Sequence, residues 1–286
     1  MDYTTLRYEV WDRILTLTLN RPEAMNSFTL EMHEELIHAF NRASNDDAVS
    51  VIVVTGAGKA FCAGMDLTRS GNVFGLDETR VPTLEDTKGS GFIPEVSDTG
   101  GQVTLSMFEC KKPIIGAING AAVGIGATML AAMDIRIASE KARIGFVFSK
   151  IGITPEACSS WFLPRIVGLS QALEWVYTGD IFDANEAKAK GFVRSVHAPD
   201  TLLNEAYALA ARMVDKSQVS LALAKQMLWR LSAESHPRRA HEVDSLAIFY
   251  TSQKDGKEGV AAFLEKRDPV FTEKASTDMP EFYPWW

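Results

Sequence analysis

Glu156 is the acidic residue whose sequence surroundings first suggest chemistry. It lies in the segment "GITPEACSSW", after Pro155 and before a run of small and aromatic residues. Two interpretations are open at this point. Thr154, Pro155 and Glu156 could be the N-cap and the first two residues of a helix, where an acid complements the helix dipole. Alternatively, Glu156 could be a general base, provided that an apolar pocket raises its pKa more than a helix N-terminus lowers it.

Two glycine-rich turns could supply the other half of an active site. They are "GKAFCAGMDL" (residues 58–67) and "NGAAVGIGATML" (residues 119–130), and each follows an apolar predicted strand. Glycine lets the backbone come close to a ligand and leaves amide N–H groups free at a helix start. Neither turn has the G-x-G-x-x-G spacing of a dinucleotide site or the Gly-Lys-Ser/Thr of a P-loop. One such turn could be an ordinary tight loop, but two at the ends of neighbouring strands favour a shared anion or oxyanion site.

The remaining polar residues give weaker signals. Asp66 follows the first glycine turn, where a helix cap or a local hydrogen-bond acceptor is a better interpretation than a catalytic acid. His33 and His38 lie on a predicted helix without a partnered serine or cysteine, so the sequence does not indicate a catalytic triad. The three cysteines lack paired spacing and therefore indicate neither a disulfide framework nor a zinc site.

The elements around these residues follow a β-α-β order. The alternating segment "RILTLTLN" and the β-branched run "VSVIVVTGAG" predict strands, and residues 29–43 between them have apolar residues at helical spacing. The same order recurs in "KPIIGAING", "GATMLAAM" and "DIRIAS". This repetition predicts an α/β fold with a parallel core and right-handed crossovers.

Two other regions differ from this core. Residues 66–101 are rich in Gly, Thr, Asp and Pro without apolar periodicity, and we expect a mobile loop that is functional or disordered. After Ser159 the chain has five segments with helical spacing. Asp183 is a predicted helix cap there, and Gly179 and Gly191 are predicted helix ends.

Composition limits the class of protein. A chain of 286 residues with 46% hydrophobic residues can bury the core of one large domain or two modest ones. It lacks an apolar run of about 18 residues and a secretory signal, so we expect no membrane partner and a cytoplasmic location. The formal net charge of -8 argues against a nucleic-acid partner, although a local basic pocket for one anionic ligand is compatible with it.

Four segments resemble one protein family. They are "LNRPEAMNSFTLEM", "GAGKAFCAGMDL", "KPIIGAINGAAVGIGATMLAAMDIRIAS" and "GLSQALEWVYTGDIFDANEAKAKGFV". In this order, from about Leu6 to Arg267, the chain is similar to the crotonase, or enoyl-CoA hydratase/isomerase, superfamily. The resemblance implies a crotonase-like β/α spiral core with the site over residues 1–200 and a helical trimerisation region over residues 201–286. It also implies an acyl-CoA thioester substrate in a bent conformation, no separate cofactor, and a homotrimer or a dimer of trimers.

The resemblance further implies roles for the two glycine turns. The backbone N–H groups of Met65 and Ile125 would bind the thioester oxygen as an enolate develops, and a preorganised donor of this kind contributes about 3 kcal/mol. Because only the amide acts, any side chain is tolerated at the donor, whereas glycine neighbours permit close approach. The residues expected to contact the substrate or its coenzyme A part are Lys59, Ala63, Gly64, Asp66, Leu67, Gly124, Gly126, Phe263 and Lys266.

The chain departs from the hydratase pattern at both catalytic acids. Where hydratases have glutamates this sequence has Thr128 and Phe148, so it lacks the pair that activates and orients water. Glu156 matches the base of peroxisomal-type Δ3,Δ2-enoyl-CoA isomerases, which need only one carboxylate. We therefore predict an isomerase with Glu156 as its base and an acyl pocket formed by Thr128, Phe148 and Trp161.

Two alternatives stay open. The first is a hydratase-like or hydrolase-like member that acts on an unusual acyl group, with residues 66–101 shaping its acyl pocket. The second is a non-catalytic acyl-CoA-binding protein, for which we expect Glu156 to point into solvent.

Overall fold

The computed structural model describes residues 1–68, 71–86, 93 and 96–286. The strands in these ranges, numbered in chain order, are β1 (Leu6–Trp11), β2 (Ile14–Leu19), β3 (Val51–Gly56), β4 (Ala60–Cys62), β5 (Ile114–Ile118), β6 (Ala121–Val123), β7 (Ile135–Ser139), β8 (Arg143–Gly145), β9 (Ile181–Asp183) and β10 (Val196–His197). The α-helices are α1 (Leu30–Asn45), α2 (Thr99–Glu109), α3 (Ile125–Ala131), α4 (Ser159–Val167), α5 (Leu169–Thr178), α6 (Ala184–Ala189), α7 (Leu202–Val214), α8 (Gln218–Leu231), α9 (Pro237–Thr251) and α10 (Asp255–Glu265). Short 3₁₀ helices lie at Pro22–Ala24 and Val147–Ile151.

The strands of the described ranges form two sheets. The larger sheet has the order β1-β2-β3-β5-β7-β10, in which β1 and β2 are an antiparallel hairpin and the other neighbours are parallel. The smaller sheet has the order β4-β6-β8-β9, with β4, β6 and β8 parallel and β9 antiparallel to β8. Parallel neighbours require a crossover between them, so this topology confirms the predicted parallel α/β core.

The larger sheet is covered on both faces, as a parallel sheet requires. Along β3, Ile52 and Val54 belong to the main core, which also contains the apolar side chains of α1. The alternate residues Val51 and Val53 pack with α7 on the opposite face. Although α7 belongs to the predicted C-terminal region, it completes the burial of this sheet.

Local signals identified several helix boundaries. α1 begins after Thr29, whose hydroxyl accepts a hydrogen bond from the Met32 N–H at 3.1 Å. α6 begins after Asp183, whose carboxylate accepts hydrogen bonds from two amides of the first turn. Gly179 ends α5 in the left-handed conformation, with a φ of 62°. The boundaries at Asp183 and Gly179 confirm the predicted cap and helix end, and α1 begins within one residue of the predicted start.

The segment predicted as a mobile loop, residues 66–101, is described only in part. Residues 69–70, 87–92 and 94–95 lie outside the described residues, and so does that part of the prediction. The end of the segment is helical, because α2 begins at Thr99 with Asp98 as its N-cap. The loop prediction was wrong at this end, where two consecutive glycines in the first turn weaken the helical signal of the sequence.

The C-terminal helices α8 and α9 pack against the end of the chain. Val219 and Leu223 of α8 and Ala247 of α9 form a small apolar cluster with Phe282 and Trp285. No helix in the described ranges has both the length and the apolar composition needed to cross a bilayer.

Candidate active site

The two glycine turns and Glu156 meet at one cavity, which we call the reaction cavity. β4 and β6 are parallel neighbours, so the turns that follow them lie side by side at the same edge of the smaller sheet. The reaction cavity has a volume of about 670 Å³, and its walls also include the start of α2 and residues 147–156. The residues that line it and that the sequence analysis named are Ala63, Gly64, Met65, Leu67, Gly124, Ile125, Phe148 and Glu156.

The amide N–H groups of Met65 and Ile125 are available to a ligand. The first turn is held by Phe28, whose N–H donates to the Gly64 carbonyl at 2.8 Å and whose carbonyl accepts from the Asp66 N–H at 2.9 Å. Ile125 is the first residue of α3, where amides have no acceptor within the helix. Within the described part of the chain, neither the Met65 nor the Ile125 amide has a hydrogen-bond acceptor.

Backbone geometry explains the glycines of these turns. Gly64 and Gly124 have φ values of 108° and 56°, which favour glycine. The turns are in contact, since a Cβ on Gly64 would lie 3.3 Å from the Val123 carbonyl oxygen. Gly126 does not line the cavity; a Cβ there would lie 2.1 Å from the Cys62 carbonyl oxygen, so α3 packs directly on β4. Close packing keeps the two amide donors in fixed positions, as an oxyanion site requires.

Glu156 precedes α4 and does not belong to its first turn. α4 begins at Ser159, and Ala157 and Cys158 both adopt the left-handed conformation, with φ values of 56° and 55°. The helix-capping interpretation of Glu156 is therefore wrong. The Glu156 side chain lines the reaction cavity instead, where the Thr128 hydroxyl donates a hydrogen bond of 2.7 Å to Glu156 Oε1.

Burial makes the Glu156 carboxyl an unusually weak acid. Loss of contact with water raises its pKa from 4.5 to about 8. The Thr128 hydroxyl lowers the pKa by stabilising the carboxylate, whereas the Asp98 carboxyl raises it through its charge and through a hydrogen bond. The apolar surroundings therefore outweigh the effects that favour ionisation. A carboxyl whose pKa lies near neutral pH is suited to take up and return a proton.

Asp98 is a functional-site residue that the sequence analysis missed. It lines the reaction cavity and caps α2, where its carboxylate accepts hydrogen bonds from the Gly101 N–H and, at 3.0 Å, from the Ala157 N–H. The sequence does contain a signal, because Asp98 precedes "TGG" at the end of an aperiodic segment and aspartate is a favoured N-cap. Its proximity to Glu156, however, depends on tertiary structure.

Thr128 and Phe148 occupy the positions at which the resemblance places the hydratase acids. Thr128 is fully buried and contacts Glu156, and the ring of Phe148 lines the reaction cavity. A hydroxyl and an apolar ring therefore stand where a water-activating pair would be needed.

Asp66 lies next to Met65 but outside the reaction cavity. Its carboxylate accepts hydrogen bonds from the Thr68 hydroxyl at 2.6 Å and from the Arg21 guanidinium at 3.0 Å. The contacts with Thr68, followed by the one with Arg21, lower its pKa to about 2. Asp66 lines a separate cavity of about 280 Å³. It is thus the local hydrogen-bond acceptor that the sequence favoured.

Three other predicted residues do not line the reaction cavity within one chain. Lys59 is exposed just before β4, and Phe263 on α10 has 81% of its surface exposed. Lys266 follows α10 in the left-handed conformation and is also exposed. Their contacts with coenzyme A stay predictions.

Trp161 lies in a second cavity of about 550 Å³, which we call the aromatic cavity. Its ring makes edge contacts with Phe108 and Phe162, at centroid distances of 5.7 and 4.8 Å. The left-handed turn just before α4 redirects the chain, so Glu156 lines the reaction cavity while Cys158 and Trp161 line the aromatic one. Trp161 therefore does not line the reaction cavity, and its place in the acyl pocket stays a prediction.

Comparison with known proteins identifies relatives along nearly the whole chain. Residues 9–274 match the enoyl-CoA hydratase/isomerase family. An enoyl-CoA hydratase of Alternaria alternata is 38% identical over 264 residues, which are 91% of this chain and 83% of that protein. The 1,2-epoxyphenylacetyl-CoA isomerase of Escherichia coli (strain K12) is 34% identical over 262 residues, 91% of this chain and 95% of the relative. The crystal structure of an enoyl-CoA hydratase from Bacillus anthracis, 28% identical, has a TM-score of 0.81 and covers 95% of this chain and 100% of that one.

The spiral α/β fold and the two glycine turns define a protein of the crotonase superfamily. Within it, the chain belongs to the enoyl-CoA hydratase/isomerase family and is an acyl-CoA enzyme.

Proposed function

We propose that this enzyme is a Δ3,Δ2-enoyl-CoA isomerase in which Glu156 moves a proton from C2 to C4 of the substrate. The observation that carries the proposal is the buried Glu156 carboxyl, with a pKa raised to about 8, in the cavity that the Met65 and Ile125 turns line. Such a carboxyl is a stronger base than an exposed glutamate. It is also partly ionised near neutral pH, so it can accept a proton from the substrate.

The reaction follows from these groups. The Glu156 carboxylate removes a proton from C2 of a 3-enoyl thioester, and the electrons move into a dienolate whose negative charge lies mainly on the thioester oxygen. The free N–H groups of Met65 and Ile125 stabilise that oxygen. Protonated Glu156 then returns the proton to C4, which leaves the double bond between C2 and C3. The substrate gains and loses one proton, so one carboxyl suffices and no cofactor is required beyond the coenzyme A of the substrate.

The surroundings of Glu156 favour isomerisation over hydration. Hydration needs two groups that hold a water molecule between them, and the hydratase positions are occupied by Thr128 and Phe148. Asp98 is a second carboxyl of the cavity, but its Oδ1 already accepts hydrogen bonds from two backbone amides, which cap α2 and hold the segment after Glu156. The names of the relatives include both reactions, a hydratase in Alternaria alternata and an isomerase in Escherichia coli, so the preference rests on this geometry.

The walls of the cavity suit an apolar acyl chain. Phe74 and Leu76, from the segment 66–101, face the cavity together with Val147, Ile151 and Ile153. We propose that this segment shapes the acyl pocket. The coenzyme A contacts of Lys59, Phe263 and Lys266, the homotrimer or dimer of trimers, the likeness to peroxisomal-type isomerases and the cytoplasmic location also belong to the proposal and rest on the resemblance and the sequence.

Isotope-labelled water separates the candidate reactions. The enzyme is incubated with a 3-enoyl-CoA and, separately, with a 2-enoyl-CoA in ¹⁸O-labelled water, and the products are followed by absorbance of the conjugated thioester and by mass spectrometry. We expect 3-enoyl-CoA to become 2-enoyl-CoA without label. Labelled 3-hydroxyacyl-CoA as the main product would instead establish a hydratase, labelled free acid would establish a hydrolase, and binding without turnover would establish a non-catalytic protein.

A further inference from the structure

Asp98 is a second carboxyl of the reaction cavity that the proposed proton transfer does not use. It is the N-cap of α2, whereas Glu156 lies in the irregular segment before α4. One Asp98 oxygen, Oδ1, accepts hydrogen bonds from the Gly101 N–H of its own helix and from the Ala157 N–H that directly follows Glu156. Asp98 therefore joins the start of α2 to the segment that carries the base.

The first turn of α2 is built so that both carboxyls can lie against it. A Cβ on Gly100 would lie 2.1 Å from Glu156 Oε2, and a Cβ on Gly101 would lie 2.6 Å from Asp98 Oδ2. Side chains at these two positions would therefore push the carboxyls out of place. The two consecutive glycines, which weaken the helix locally, have a packing reason at this site.

The Glu156 and Asp98 carboxyls lie against the neighbouring residues Gly100 and Gly101, and a hydrogen bond between the two carboxyls requires a shared proton. Two carboxylates have only acceptors, so one of the pair must carry a hydrogen for the bond to exist. Asp98 Oδ1 already accepts hydrogen bonds from two amides. Glu156 has no amide donor in the described ranges, so a proton shared by the pair is better placed on Glu156.

We propose that Asp98 is a positioning residue, which fixes Glu156 through a shared proton and makes it the stronger base for the isomerisation. This inference rests on the proposed function. When Glu156 is ionised, its charge and that of Asp98 repel, so removal of the substrate proton relieves the repulsion. When Glu156 holds that proton, Asp98 accepts its hydrogen bond, and the bond is released as the proton passes to C4.

The other side chains near Glu156 do not make it a stronger base. The Thr128 hydroxyl of α3 favours the ionised form of Glu156, which is the opposite direction. Cys62 of β4 and Cys158 before α4 also lie near the carboxyl, but burial raises the pKa of both thiols, so they are neutral where the enzyme would act. Among the described side chains that shift the Glu156 pKa, Asp98 is the one that raises it.

The variant Asp98→Asn tests the role with little structural change. Asparagine is an equally good N-cap, and its carbonyl oxygen can accept from the same two amides, but it carries no charge. We expect the acidic limb of the kcat/KM profile for 3-enoyl-CoA to move down by about one pH unit, and the plateau to fall about tenfold with little change in KM. The matched control is Asp183→Asn at the cap of α6, which should leave the profile unchanged.

A substrate-free measurement separates this inference from the proposed function. The infrared band of protonated Glu156, assigned by its loss in Glu156→Gln, is titrated in the wild type, in Asp98→Asn and in Asp98→Ser, which keeps a capping side chain if the first variant does not fold. We expect the midpoint to fall in both Asp98 variants, whatever reaction the enzyme catalyses. An unchanged midpoint or an unchanged acidic limb would show that Asp98 only caps α2 and would overturn the inference.

Discussion

The reaction cavity and the aromatic cavity have similar volumes, about 670 and 550 Å³, but they differ in the polar groups that they present to a ligand. In the aromatic cavity the Arg230 guanidinium is stacked between two rings, 4.5 Å from the centroid of Phe108 and 3.4 Å from that of Trp286. These rings stabilise its charge, and its buried Nη2 has no hydrogen-bond partner among the described residues. In the reaction cavity two amides have no acceptor within the described part of the chain, and burial raises the pKa of the Glu156 carboxyl to about 8.

The comparison teaches that the kind of polar group, more than volume, marks the place where chemistry occurs. One cavity holds a carboxyl that can take up a proton beside two backbone donors, and the other holds a guanidinium stacked between rings. The two cavities are separated by the left-handed turn at Ala157 and Cys158, so residues only a few positions apart serve different purposes. Groups on the side of Glu156 should control activity, and groups on the side of Trp161 should control stability. The variants below can break or sharpen this division.

Among the variants that test the division between the two cavities, Gly100→Ala should have the largest effect on kcat. The added Cβ would lie 2.1 Å from Glu156 Oε2, so the base must move. We expect kcat for 3-enoyl-CoA to fall about 100-fold, because a displacement of about 1 Å has this cost at a reacting group. The control is Gly259→Ala on α10, where a Cβ would lie 3.5 Å from the Phe271 ring, an ordinary contact. A wild-type kcat in Gly100→Ala would contradict the view that the position of the base depends on its contact with α2.

Smaller effects are expected from two aromatic substitutions, one in each cavity. The substitution in the aromatic cavity should change stability, and the one in the reaction cavity should change KM. Trp161→Leu removes ring contacts of the aromatic cavity and should lower the free energy of unfolding by about 2–3 kcal/mol, with kcat within about twofold of wild type. Phe148→Leu in the reaction cavity should instead raise KM for acyl-CoA about threefold. The measurements are denaturant unfolding and steady-state kinetics. A large loss of kcat in Trp161→Leu with retained stability would contradict the division.

The sequence predicted the parts of the site that depend on local pattern. The Asp183 cap of α6, the β-α-β order and the glycine turns of Gly64 and Gly124 follow from propensity and periodicity, because each signal lies within a short window. Strands of three residues, such as β4 and β6, are too short to show a period. The helix α9 is not among the five helical segments predicted after Ser159, because its apolar stripe is weak.

Other parts of the site depend on contacts between distant segments. Asp98 and Ala157 are joined by a hydrogen bond across 59 positions, which no local pattern records. Left-handed conformations at Ala157 and Cys158 are uncommon for residues of these types, so a helix beginning at Pro155 was one of the two interpretations that the local sequence allowed. That turn also explains why Trp161 lines the aromatic cavity although it lies only five positions after Glu156.

The central claim is that the Glu156 carboxyl transfers the proton. Glu156→Gln keeps the shape of the side chain and removes its basicity, and Glu205→Gln on the exposed face of α7 is the matched control. Conversion of 3-enoyl-CoA is measured alongside calorimetric binding of an acyl-CoA. We expect Glu156→Gln to lose about 10³-fold in kcat while it still binds the thioester, and Glu205→Gln to be unchanged. A Glu156→Gln enzyme that isomerises 3-enoyl-CoA at the wild-type rate would contradict the account.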